Sequence, residues 1–264
     1  MASKRLLEGL RLLIRIYRDL MILRRVAVGV LFNTKQFKVS ARAGDIVDNL
    51  VEYSRKQSER GGLPFFIQLM SGGDVAQSFF RLTEPGGNYV EVSPAQVVFN
   101  RVSSADGAAL NLDKVIDEFS DIYKIIKKDL GDTSIRRIGL IGEYLVSSGG
   151  VNFGGAVDLV GRATNLSAPE YSRRCHISFS DLEVKSGDLD LDQEDYWNHH
   201  IGLYNSEIDE RPVVGGVIFS LDTQKYYNPA KRDAVREILS VVRKFKDKKI
   251  SVKKQLAGLG FIDG

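Results

Sequence analysis

Residues 64–102, PFFIQLMSGGDVAQSFFRLTEPGGNYVEVSPAQVVFNRV, decide the fold class. PFFIQLM (64–70) and VAQSFFRL (75–82) are strand-like runs joined through Gly72-Gly73, a pair suited to the positive φ angles of a tight hairpin turn. Pro85-Gly86-Gly87 turns the chain into NYVEV (88–92), and Ser93-Pro94 turns it into AQVVFNRV (95–102). Four strands in succession extend an antiparallel meander, and a sheet of this kind needs helices on one face to bury it. The expected class is α+β, not α/β.

Upstream, VAVGVLF (26–32) alternates as a strand, and 42–57 carries Ile46, Val47, Leu50 and Val51 at helical spacing before Gly61-Gly62. Downstream, Asn111 is placed to cap a long helix. Its apolar stripe is Leu112, Val115, Ile116, Phe119, Ile122, Tyr123, Ile126 and Leu130, and Gly131 ends it. The first half therefore reads β-α-β-β-β-β-α.

The second half starts on the same plan. SIRRIGLIGEYLV (134–146) is a long strand, followed by a glycine-rich turn and a weaker helix around 153–163. Strands are expected at 174–179, 181–185, 197–205 and 213–222. Asn228-Pro229 then reads as a helix start, opening a helix with Val235, Ile238, Leu239, Val242 and Phe245 on its apolar face. VVFNRV before the first long helix is similar to VIFSLD before the second. Two pseudo-repeated sheet-plus-helix halves result, 26–131 and 132–250, flanked by an N-terminal helix (1–25) and a tail (251–264). Their order resembles the saddle-like repeat of TATA-box-binding proteins, an analogy of fold that carries no ligand.

The segments NYVEVSPAQVVFNRV, RRIGLIGEYLV and VIFSLDTQKYY together resemble a sporadically distributed family of bacterial and phage proteins without an assigned activity. The resemblance spans residues 64–250. That family has an Arg-Leu-Arg-Tyr-Ile-Asn type of strand after its central helix, where this chain has Arg137-Ile-Gly-Leu-Ile-Gly-Glu-Tyr144. The resemblance implies a soluble α+β protein and supplies no catalytic residues.

Apolar residues make up 43% of the 264 and charged residues 27%, a globular mix that argues against disorder and against a membrane bundle. A formal charge of +3 does not by itself indicate a polyanionic partner. Cys175, the single cysteine, rules out an intrachain disulfide and a four-cysteine metal site, and fits a cytoplasmic location.

MASKRLLEGLRLLIRIYRDLMILRR (1–25) has no uninterrupted apolar stretch for a signal peptide or a membrane span. At helical spacing Leu6, Leu7, Leu10, Leu13, Ile14, Tyr17, Leu20 and Met21 share one face. Lys4, Glu8, Arg11, Arg15, Arg18 and Asp19 gather opposite. The stripe packs in the core, against another subunit or on a membrane surface, or belongs to a mitochondrial transit peptide, which Glu8 and Asp19 weigh against. As a partner surface, its contact residues are Leu10, Leu13, Ile14, Tyr17 and Met21.

Candidate chemistry is sparse. Asp188, Asp190 and Asp192 alternate like the start of a calcium loop, but the loop glycine is absent and His199 stands at the twelfth position. His199 and His200, adjacent on a strand, point to opposite faces, so a single metal ion does not take both. Gly149-Gly150-Val-Asn-Phe-Gly154-Gly155 fits no phosphate-loop spacing, and Cys175 and His176 diverge as strand neighbours. No metal or cofactor is expected.

Between 231 and 254 there are ten Lys or Arg against three acids, a basic run that includes Arg243, Lys244, Lys246, Lys248 and Lys249. Such a face neutralises phosphates or is solvated, or pairs with the acidic 181–195 segment. The leading expectation is a non-catalytic binding or assembly protein whose partner is another protein or a second copy, held through the N-terminal helix. The alternatives are nucleic-acid binding by the basic helix, and an enzyme with a site around Asp195, His199 and His200.

Overall fold

The computed structural model describes residues 21–58, 66–70, 79–84, 86–103, 108–147, 161, 164, 176–184, 195–208 and 211–258. Its nine strands are β1 (Met21–Phe32), β2 (Phe66–Met70), β3 (Phe79–Thr83), β4 (Tyr89–Val92), β5 (Gln96–Val102), β6 (Ile135–Ser147), β7 (His176–Glu183), β8 (Tyr196–Ile208) and β9 (Arg211–Lys231). The helices are α1 (Lys38–Ala41), α2 (Ala43–Ser58), α3 (Leu112–Leu130) and α4 (Ala234–Gly258). The strands form one antiparallel sheet in the order β2-β3-β4-β5-β1-β6-β9-β8-β7. The class is α+β.

Alternation along the strands explains why helices cover one face. Val26, Val28 and Val30 of β1 are fully buried and stand in register with Arg101, Phe99 and Val97 of β5. α3 packs on β1 and β5, α4 packs on β6 and β9, and α2 lies against α3. The α3 stripe is buried along its length, from Val115 to Leu130. Asn111 Oδ1 accepts the Lys114 N–H at 3.1 Å, and Gly131 closes the helix at φ 75°.

Aromatic rings join helices to sheet at two places: Phe99 meets Phe119 of α3 at 6.2 Å, and Tyr144 stacks on both Phe219 (5.8 Å) and Phe245 of α4 (6.5 Å). Gly142 makes the second contact feasible, because a Cβ there would lie 2.6 Å from Phe245 Cζ. Arg101 is a charged group on this face, gripping Glu84 and Glu118 with its side chain 14% exposed.

Four expectations are corrected. β1 begins at Met21, within the stretch expected to be helical to residue 25: Met21, Leu23 and Val26 fit the buried side of a strand whose register shifts between Leu23 and Arg25. Met21 is thus 6% exposed in the core and pairs with Val146, which removes it from an outward helix face. The strands expected at 174–179 and 181–185 are one, β7, since Ser180 pairs with His200 without interruption. Asn228-Pro229, joined by a cis peptide bond, lies inside β9 and does not start the last helix. The sheet ladder continues to Ile135↔Lys231, and Asp233 takes the capping role, its Oδ1 accepting the Arg236 N–H at 3.1 Å. Leu239, expected on the apolar face of α4, is 59% exposed. The helix expected around 153–163 lies, apart from Gly161, outside the described residues.

Candidate site on the open face of the sheet

The strand positions that alternate with the buried ones form the other face, and among the described residues no helix packs on it. Register fixes which side chains meet there. Ser180 of β7, His200 of β8, Asp222 of β9, Ile141 of β6 and Ala27 of β1 form one row across five strands. Ser178, Gly202, Ser220, Glu143 and Arg25 form the next. All of these except Ala27 line, together with His176, an open cleft of about 440 Å³. Gly202 lowers its floor: a Cβ there would lie 3.3 Å from His176 Nε2.

The polar groups are mostly satisfied within the face. Arg25 donates to Glu143 at 2.8 Å and to Asn100 at 2.7 Å. Arg137 donates to the Tyr226 hydroxyl at 3.1 Å, that hydroxyl donates to Gln224 at 3.0 Å, and Gln224 Nε2 donates to Asp222 Oδ2 at 2.5 Å. Tyr196 stacks on Tyr226 with ring centres 4.4 Å apart. Asp222 Oδ1 and Asn198 Oδ1 are the exceptions, buried acceptors with no donor. Burial raises the Asp222 carboxyl above its usual pKa, against the Gln224 hydrogen bond and the His200 and Arg137 charges.

His200 sits between Ser180 Oγ (2.6 Å from Nδ1) and Asn198 Nδ2 (3.0 Å from Nε2). The neutral ring carries one proton: it donates from Nδ1 to Ser180 Oγ with the Asn198 amide N–H on Nε2, or from Nε2 to the Asn198 amide oxygen with the Ser180 hydroxyl on Nδ1. Both ring nitrogens are engaged by neutral partners, so Asp222 does not orient the ring. The serine, histidine and aspartate in one row form a polar ladder, in which the Asp222 Oδ1 keeps its capacity to accept a hydrogen bond.

The structure separates the residues grouped on sequence as a candidate enzyme site. His199 points to the helix-covered face, is fully buried, bonds Thr223 at 3.2 Å through Nδ1 and lies 3.4 Å from Glu183 through Nε2. Burial lowers its pKa, opposed by the Glu183 charge. Asp195 accepts the Asn228 N–H at 2.7 Å. His200 is on the opposite face from His199, as strand alternation requires. Among the described residues no group of three or more His, Cys, Asp or Glu comes together to hold a metal ion.

The basic residues of α4 are largely engaged. Lys244 pairs with Glu183, Lys248 with Asp181, and Lys246 with Asp113 at 2.7 Å. Lys249 lies 4.6 Å from the Tyr144 ring centre, and Arg243 is exposed. The acidic 181–195 segment thus meets the basic helix within the chain through Asp181 and Glu183, and both carboxyls are held below their usual pKa. For Asp181 the Lys248 hydrogen bond dominates; for Glu183 burial works upward and the lysines outweigh it. Leu10, Leu13, Ile14 and Tyr17 lie outside the described residues, as does Cys175.

Sequence reasoning missed Ser180, Asn198, Asp222 and Gln224. Alternation places each on a face, but only the β7-β8-β9 register brings them together. No described helix is long and apolar enough to cross a membrane. No known protein family model matches the chain, and no curated protein matches it.

Proposed function

We propose that this is a non-catalytic binding protein that holds a small polar ligand on the open face of its sheet, the ligand supplying hydrogen-bond donors. Asp222 Oδ1 carries this reading: a buried acceptor without a donor costs about 1–3 kcal/mol, which a ligand hydroxyl or ammonium would recover. Arg25 is balanced by Glu143, so the cleft has no surplus positive charge to favour an anion. The resemblance to phage and bacterial proteins without assigned chemistry fits the same reading.

Nucleic-acid binding by α4 has less support, because Lys244, Lys246 and Lys248 already face carboxylates. The two halves are further inferred to be a duplication. Support comes from the strand orders β2-β3-β4-β5-β1 and β7-β8-β9-β6, which run inward from each edge to meet at β1 and β6, and from Phe99 and Phe219, both buried beneath the following helix layer.

Ligand-observed NMR with a panel of monosaccharides, amino acids and polyamines at millimolar concentration tests the binding reading. Gly139→Ser is the discriminating variant, because a Cβ at 139 would lie 3.8 Å from Asp222 Oδ1 and its hydroxyl would supply the donor internally. Binding lost in Gly139→Ser is the expected result. No binder in the panel, or binders indifferent to Gly139→Ser and to His200→Ala, would dismiss it.

A further inference from the structure

A second cleft, of about 1080 Å³, opens on the helical side where β1 begins. Ile22, Leu110, Leu112, Tyr144 and Ile250 give it an apolar lining, and Lys246 stands at its rim beside its partner Asp113. Ile250 is 57% exposed, a large aliphatic side chain on α4 with little packed on it. A cleft of this composition beside the main core is unfavourable in water unless something apolar covers it.

We propose that residues 1–20 are that cover, docking in cis as an amphipathic helix in the cleft between the start of α3 and the second half of α4. Three observations commit the occupant. Met21 itself lines the cleft, so the segment that precedes it has no linker to span. Leu6, Leu10, Leu13, Ile14 and Tyr17 recur at helical spacing on one face, opposite Lys4, Glu8, Arg11, Arg15 and Arg18, the pattern of a helix with one side on protein and one in water. Twenty helical residues span about 30 Å, comparable with the neighbouring α4 at about 37 Å, so the segment is long enough to lie along it.

Cis docking is favoured over docking on a second copy by connectivity. The segment is tethered at the mouth of its own cleft, which corresponds to an effective concentration in the millimolar range for a short linker, above that of free partner chains in solution. A swapped dimer would make the same contacts and lose association entropy besides. This site is on the opposite side of the sheet from the proposed ligand cleft, and the two proposals stand or fall separately.

Trypsin tests the proposal, because Arg11, Arg15 and Arg18 place cleavage sites within the segment. The intact protein, monomeric by light scattering, should resist cleavage there. Leu13→Asp, from the segment side, and Ile250→Asp, from the cleft side, should each raise the cleavage rate at these arginines at least tenfold. Leu239→Asp, equally exposed on α4 but outside the cleft, should leave it unchanged. Ile250→Asp keeps the test valid if Leu13→Asp fails to fold, since Ile250 is exposed. Wild-type cleavage at the rate of an unfolded peptide would overturn the proposal, as would indifference to Ile250→Asp. A dimer that Leu13→Asp dissociates would assign the segment to a second copy and overturn cis docking.

Discussion

Gly142 is set by distance. With Phe245 fully buried in the stack against Tyr144, an added methyl group has nowhere to go, so Gly142→Ala should cost about 1–3 kcal/mol in denaturant unfolding, while Gly29→Ala, with open space around its Cβ, should cost less. Arg101 is set by charge. Replacing it by Met leaves the Glu84 and Glu118 carboxylates facing each other in a largely buried site, at an expected cost of about 3–5 kcal/mol. Asp222 and His199 give pH dependences of opposite sign. The Asp222 pKa is raised on folding, so from the ordinary carboxylate value up to its folded value the native state binds more protons, and stability falls as pH rises. Asp222→Asn should therefore raise Tm at pH 7 and leave it unchanged at pH 3. His199 is lowered, so the unfolded state binds more protons as pH drops below about 6.5, and the stability present above that value is lost progressively. Trp197, the single tryptophan, stacks on His199 at 6.2 Å and provides the fluorescence signal for that titration.

Two elements show what sequence reasoning reaches and where it stops. α3 was legible in full, from the Asn111 cap through its buried stripe to Gly131, because cap, period and stop are all local signals. The start of α4 was not. Asn228 and Asp233 offer the same capping chemistry a few residues apart, and what decides between them is the pairing of β9 with β6, a contact about ninety residues distant. Met21 was misplaced for a similar reason, since alternation and helical spacing overlap there and the β6 pairing settles it. The α4–β7 clasp is nonlocal too, joining Lys244 and Lys248 to Glu183 and Asp181. Replacing both lysines by glutamate should loosen α4 from β7, seen as faster amide exchange in His176–Glu183, with little change in the affinity for mixed-sequence DNA at low salt. A large loss of DNA affinity with unchanged exchange would restore the basic helix as a polyanion surface.

At the scale of the molecule, alternation and turn chemistry made the antiparallel sheet and its single helical layer legible, because both follow from the apolar pattern. Strand order did not follow from it. The row Ser180, His200 and Asp222 exists because β7, β8 and β9 are neighbours in one particular register, and a shift of one residue in β8 would send His200 to the helical side and His199 to the open one. The candidate site was therefore out of reach of the sequence, although His200 and Asp222 were expected on strands; Ser180 fell between two expected strands and Arg25 in the expected helix.

The midline of the sheet is also its most distant pairing along the chain. β1 is synthesised about a hundred residues before β6, yet the two pair along eleven register positions. Until β6 arrives, one long edge of β1 has its peptide groups open to any passing strand, a hazard that slow, nonlocal pairing prolongs. The same join offers a place to divide the molecule. A chain cut at Asp132, between α3 and β6, leaves each fragment with its own strands and helix and a matching half of the midline. Expressed together, the two fragments should reassemble into a stoichiometric complex; expressed apart, each should aggregate through the bared edge.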